Sequence, residues 1–214
     1  KFHDGEAFDA SDVKFSFERA KDDKSTNKAK KAVFDNIRRI DAPDAHTVIL
    51  TLENADPNFL FRMGENTAVI LSPKSAATTA TKPIGTGPYS FDAWQKGQSI
   101  TLSKWPGYRN AAAIRINKVT FRFIPELSTR TAALRAGEIH VIDRVTPDLV
   151  ETLKGTRGVK VYDVPAVEAQ RWIFQLAKEP VKDARLRQAI SLAIDRNVII
   201  KDLLLGYARP VVNP

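Results

Sequence analysis

The chain has 214 residues, with 33 Lys and Arg against 25 Asp and Glu, a net charge of +8, 43% hydrophobic residues and no cysteine. That length and composition suit one large or two small globular domains and exclude a disordered, collagen-like or coiled-coil chain. Disulfides, thiolate nucleophiles and cysteine-ligated metals are excluded as well, and no window reaches the ~20 apolar residues of a membrane span.

A positive balance invites a nucleic-acid reading, and that reading requires clustered charge. Residues 1–50 carry ten basic and ten acidic groups, and residues 111–160 carry nine and five. The densest run, Lys28, Lys30 and Lys31, is answered by Asp22, Asp23 and Asp35. A solvated surface therefore outranks a phosphate-binding patch. A basic nucleic-acid module stands as the alternative, and no nucleic-acid partner is expected.

Asp4-Gly5 signals a turn. Asp9 reads as a helix N-cap, with Asp12 in the first turn. Val13, Phe17 and Ala20 follow at helical spacing. Ile37–Ile40 and Thr47–Leu52 read as a hairpin joined at Pro43-Asp44-Ala45, with Val48, Leu50 and Leu52 on one face. Asp56-Pro57 opens a short helix with Pro at N1 and Phe59–Met63 as its body. Ala68–Leu71 is a short apolar strand, and Ser75–Lys82 is a linker. In Gly85-Thr86-Gly87-Pro88-Tyr89 the glycines permit unusual φ and Pro88 fixes the turn.

Tyr89–Trp94 and Ser99–Trp105 predict a second hairpin across Lys96-Gly97, and Lys118–Ile124 a half-buried strand. Pro125–Ala136 is helical and ends at Gly137. Thr146-Pro147 starts a helix with Leu149, Val150 and Leu153 inward. Val159–Val164 and Gln170–Leu176 read as strands. Ala184–Arg196 is an amphipathic helix, and Asn197–Leu205 continues with another. The fold class is α/β in the mixed α+β sense.

Chemistry is sparse. His3, His46 and His140 lack a partner at metal spacing, so no metal or cofactor is expected and each reads as a surface or turn histidine. There is no GxSxG elbow, P-loop or GxGxxG, so the chain does not read as an enzyme. A hydrolase with carboxylates brought together only by the fold stays open on the residues alone.

Five segments carry a family resemblance. Phe2, Asp4, Gly5, Ala10, Asp12, Val13, Phe15, Ser16 and Arg19 form the first. Pro83 to Tyr89 forms the second. Tyr108 with the strand at Val119–Ile124 is the third. Thr129-Arg130 through Gly137-Glu138-Ile139 is the fourth, with His140 where Asp is usual. Arg187, Ala189, Ile190, Ala193, Ile194, Asp195 and Arg196 form the fifth. In this order the chain resembles the extracellular solute-binding proteins (family 5) of peptide, nickel and opine ABC importers.

The resemblance implies part of a two-lobed periplasmic-binding-protein-like fold that closes over a ligand. It implies residues 1–82 as an extra subdomain of the first lobe and 83–165 as its main sheet subdomain. Residues 166–214 would cross the hinge and begin the second lobe. The opening at Lys1-Phe2-His3-Asp4-Gly5, inside a motif, leads us to expect a fragment. The expected function is capture of a small solute, a peptide ahead of an opine or related molecule. Delivery would be to an ABC permease in the inner membrane. The expected setting is the periplasm, or the cell surface through a lipid anchor, with the full-length protein a monomer. Ligand contact is expected at Phe61, Arg62 and Glu65, where Arg62 would pair a carboxylate. Trp172 and Phe174, just past the hinge, are expected to present one face to the cleft.

Overall fold

The computed structural model describes residues 1–164 and 173–210. The chain divides into two compact units, Lys1–Phe123 and Ile124–Pro214.

The first unit opens on helix α1, Ala10–Lys21. Its start is set by Asp9, whose carboxylate accepts from the Ser11 N–H at 2.7 Å while the Asp9 N–H donates to the Asp12 carboxylate at 3.0 Å. This reciprocal box satisfies donors that a helix start otherwise leaves bare. Strands β1, Ile37–Asp44, and β2, Thr47–Leu52, form an antiparallel hairpin. The predicted turn shrinks to Ala45-His46, and Pro43 falls inside β1. It sits where the register shifts between Asp41 and Asp44, so its missing N–H breaks no regular ladder bond.

Phe17 and Ala20 of α1 pack with Val33, Phe34, Ile37, Ile40 and Phe59 to form the core. Val13, Val48, Leu50 and Leu52 close its edges, as the helical and alternating spacings predict. Helix α2 spans Phe59–Met63. Asn58, not Asp56, is its N-cap, so Pro57 lies in the preceding turn and not at N1.

Ala68–Leu71 is not a strand. Its end is pinned instead by Ser16, whose hydroxyl accepts from the Leu71 N–H at 2.8 Å and lies 3.2 Å from the Leu71 carbonyl. Nor is 75–82 a free linker. Successive turns, Thr78 N–H to Ser75 O at 3.0 Å and Thr81 N–H to Thr78 O at 3.0 Å, wind it up.

A three-stranded antiparallel sheet completes the unit, in the order β3 (Tyr89–Gln95), β4 (Ser99–Lys104), β5 (Lys118–Arg122). Asp92 is the extra residue at a bulge in β3, and the Ser103 hydroxyl donates to its carboxylate. The Gly85–Pro88 segment leads into this sheet. Gly85 and Gly87 do not enter the left-handed region, contrary to the sequence reading. His3 holds this segment instead. The Gly85 N–H donates to His3 Nδ1 at 3.3 Å, and His3 Nε2 lies 3.0 Å from the Gly87 carbonyl. A backbone N–H can only donate, so Nδ1 is the acceptor and Nε2 carries the hydrogen. The imidazole and the Trp105 ring also meet in a T-shaped contact, with centroids 4.8 Å apart.

The second unit is helical: α3 (Leu127–Arg135), α4 (Pro147–Lys154), α5 (Ala184–Ala193) and α6 (Arg196–Val198). Pro147 occupies the first turn of α4, and Val150 and Leu153 are buried, as predicted. Gly137 follows α3 at φ +75°, a left-handed exit. The amphipathic run predicted to Arg196 breaks at Ile194, because Asp195 caps α6 through the Asn197 and Val198 N–H groups. Residues 159–164 and 173–176 form no strand. No ladder partner for them exists among the described residues of this unit, and an apolar run without a partner strand stays irregular.

Candidate functional site

Helix α2 presents the first group of predicted contact residues. Asp56 prepares it: its carboxylate accepts from the Asn58 N–H at 2.9 Å and its carbonyl from the Phe59 N–H at 3.1 Å. Phe59 then points into the core. Leu60 and Phe61 project outward, 84% and 77% exposed. Two large apolar side chains this bare, side by side, mark a surface suited to contact.

Arg62 is not idle. Its Nη1 donates to the Ala32 carbonyl at 2.6 Å and lies 3.8 Å from the Asp56 carboxylate. In this arrangement the guanidinium fastens α2 to the 29–34 segment. Glu65 sits on the exit turn, exposed, with its N–H on the Arg62 carbonyl at 3.1 Å. Phe61, Arg62 and Glu65 thus share one helix and its exit.

The second group belongs to the other unit. Phe174 is half-buried, whereas the adjacent Ile173 is 86% exposed. Trp172 lies outside the described residues.

Two concavities escaped the sequence reading. In the first unit, a groove of about 650 Å³ runs beside the second half of α1, lined by Glu18, Arg19, Asn27, Thr67 and Val69 among others. Asn27 Nδ2 donates to the Thr67 carbonyl at 2.9 Å, while the buried Thr67 hydroxyl has no partner.

In the second unit, a recess of about 610 Å³ is lined by Glu151, Asp163 and residues 205–209. Lys154 Nζ donates to the Tyr207 hydroxyl at 2.5 Å and to Glu151 Oε1 at 2.9 Å, and the Tyr207 hydroxyl donates to Glu151 Oε1 at 2.5 Å. The Tyr207 hydroxyl, then Lys154, hold the Glu151 carboxyl below the usual carboxylate range. The same hydroxyl, then Glu151, raise the Lys154 ammonium. Tyr207 stands 53 residues from Lys154, so no local motif announces this triad. Among the described residues no group of three His, Asp or Glu is placed to hold a metal. No helix among them is long and apolar enough to cross a membrane.

Comparison with known proteins places this geometry. The family model described as "Bacterial extracellular solute-binding proteins, family 5 Middle" matches residues 1–214. The glutathione-binding protein GsiB of Pectobacterium atrosepticum is 29% identical over 219 residues, covering 100% of this chain and 42% of that protein. Among solved structures, NikZ from Campylobacter jejuni in complex with Ni(L-His) superposes with a TM-score of 0.88 at 27% identity, over 100% of this chain and 43% of that one. DppA from Helicobacter pylori in complex with the peptide STSA gives 0.81 at 29% identity, over 97% and 44%. The chain therefore spans under half the length of the relatives it matches. It belongs to the bacterial extracellular solute-binding proteins of family 5, and it forms part of the periplasmic-binding-protein fold.

Proposed function

From that membership, we propose that the chain forms part of a receptor that captures a small solute, a peptide first among the options, and delivers it to an ABC permease. The observation that carries this reading is the family match over all 214 residues. Relatives across the same span include proteins described as binding glutathione, a nickel–histidine complex and a peptide. Such a receptor performs no chemistry, and its affinity comes from burying the solute in a closing cleft.

In this reading residues 1–82 form an extra subdomain of the first lobe, 83–165 its main sheet subdomain, and 166–214 the hinge crossing and start of the second lobe. The protein works in the periplasm or anchored by lipid at the cell surface, as a monomer. Phe61 and Glu65 offer contact to the solute from α2, with Arg62 holding that helix in place. Trp172 and Phe174 offer it from beyond the hinge.

Native mass spectrometry of the full-length protein as purified tests the reading. A ladder of co-purified short peptides, or one tightly held solute, is expected. An empty protein that also ignores peptides, glutathione and nickel–histidine would overturn it.

A further inference from the structure

Residues 67–71 have the composition of a strand and no neighbouring strand. Ala68 and Ile70 pack against the core of the first unit, whereas Thr67, Val69 and Leu71 line the groove beside α1. That alternation is the period of an extended backbone, in which every second residue turns its N–H and C=O to the same edge. Side chains occupy both ends of this edge. Asn27 Nδ2 donates to the Thr67 carbonyl at 2.9 Å, and the Ser16 hydroxyl accepts from the Leu71 N–H at 2.8 Å. Between them, the Val69 N–H and C=O meet no partner among the described residues, and the Val69 side chain is 60% exposed. The buried Thr67 hydroxyl in the same groove is also unpaired.

A guest that answers Val69 brings one acceptor and one donor at the spacing of a single residue, and an extended polypeptide backbone does this. The groove, about 650 Å³, has room for a few such residues. Its charges indicate the guest's sign. Glu18 faces Lys14 at 3.8 Å, and Asp22 lies in the field of Lys30. Arg19 and Lys24 line the same groove and form no ion pair among the described residues. The spare charge is therefore positive and favours acidic side chains on the guest. Two hydrogen bonds strengthen an association by a factor of about 5 to 150, far short of what holds a free peptide at micromolar concentration. The strand is therefore one presented by a partner that is held at other points as well.

We propose that this groove is a docking site where an extended, acidic segment of a partner protein adds to residues 67–71 as one more strand, its backbone exchanging two hydrogen bonds with Val69. The guest is a protein segment and not the transported solute, so the site does not depend on the receptor reading above.

The probe is the end-blocked peptide acetyl-Glu-Val-Glu-Val-Glu-amide, titrated to millimolar concentration into the full-length protein while hydrogen exchange is followed at the Val69 amide. Exchange there is expected to slow and saturate, while the amides of β1 and β2 keep their protection. The same peptide N-methylated at every residue cannot donate to the Val69 carbonyl and should bind about fivefold more weakly. The analogue with Gln in place of each Glu should bind about threefold more weakly at low salt. The double variant Arg19→Gln, Lys24→Gln should remove that second difference. Both side chains are exposed, so the melting curve should stay where it was. Unchanged Val69 exchange, equal binding of the N-methylated peptide, or a preference for Glu that survives in the double variant would overturn the proposal. A Val69 amide that is already slow without peptide would overturn it too. If that slowing is independent of protein concentration, another segment of this chain fills the groove, and if it grows with concentration, a second copy does.

Discussion

The two units treat their apolar residues differently. In the first, α1 and the β1–β2 hairpin close on each other, and Phe34 and Ile37 are almost wholly hidden. In the second, the described residues bury Ala133, Val150 and Leu153, and α5 buries none of its own. The face of α5 that carries Leu186 and Ile190 is only half-buried, and Leu192, on the opposite side, is 86% exposed. Amphipathic spacing states that a face is meant to be covered, and it does not supply the cover. Local order without packing is the weaker kind, because a short helix takes most of its stability from the surface it docks on.

Paired truncations would break this comparison most directly. Phe34→Ala removes a buried ring from the centre of the first unit and should cost about 3–5 kcal/mol. Leu192→Ala removes a side chain that already faces solvent and should change stability by about 0.5 kcal/mol or less. Urea unfolding of the 214-residue chain, followed by circular dichroism, measures both. Equal losses would mean that α5 is packed after all.

A second way to sharpen the comparison lies inside the first unit. His3 joins the start of the chain to the 85–87 segment through two side-chain hydrogen bonds that span 82 and 84 residues, whereas the Tyr207 bonds of the second unit span 53 and 56. His3→Ala should cost roughly 1–3 kcal/mol, from two bonds at about 0.5–1.5 each. Hydrogen exchange at the Gly85 amide should rise with it, while amides of β1 and β2 keep their protection. An unchanged Gly85 amide would mean that the clasp contributes nothing.

His3 also shows where sequence reading stops. Features set within a few residues were legible: the Asp9 cap, the hairpin at Lys96-Gly97, Pro147 at a helix start and the Gly137 exit. Features that need a distant partner were not. Ala68–Leu71 has the composition of a strand, yet a strand exists only with a neighbour, and Ser16 takes the Leu71 backbone instead. Arg62 looked available because its acceptor, Ala32, lies 30 residues away. The Tyr207 triad was invisible for the same reason. The family resemblance was legible because it depends on the order of motifs and not on any one contact.

The smallest expected effect isolates packing from capping. Asp9 and Asp183 carry the same device, a carboxylate accepting from the N–H two residues on, at 2.7 Å and 2.8 Å. Each carboxyl is held below its ordinary value, Asp9 first by the Ser11 hydroxyl and Asp183 first by the Arg185 guanidinium. The helices they start differ, since α1 is docked on the core and α5 is not. A lowered folded-state pKa means that the stabilisation is fully present above the unfolded value of about 3.9 and is lost as pH falls through the folded value. Asp9→Ala should therefore lower the melting temperature by about 2–4 °C at pH 6, and the difference should shrink as the pH falls through the lowered folded-state value. Asp183→Ala should leave the cooperative melt where it was at either pH. It would instead raise exchange at the Arg185 amide, because fraying of an undocked helix does not propagate to the core. A cooperative shift for Asp183→Ala as large as that for Asp9→Ala would show the two units melting as one.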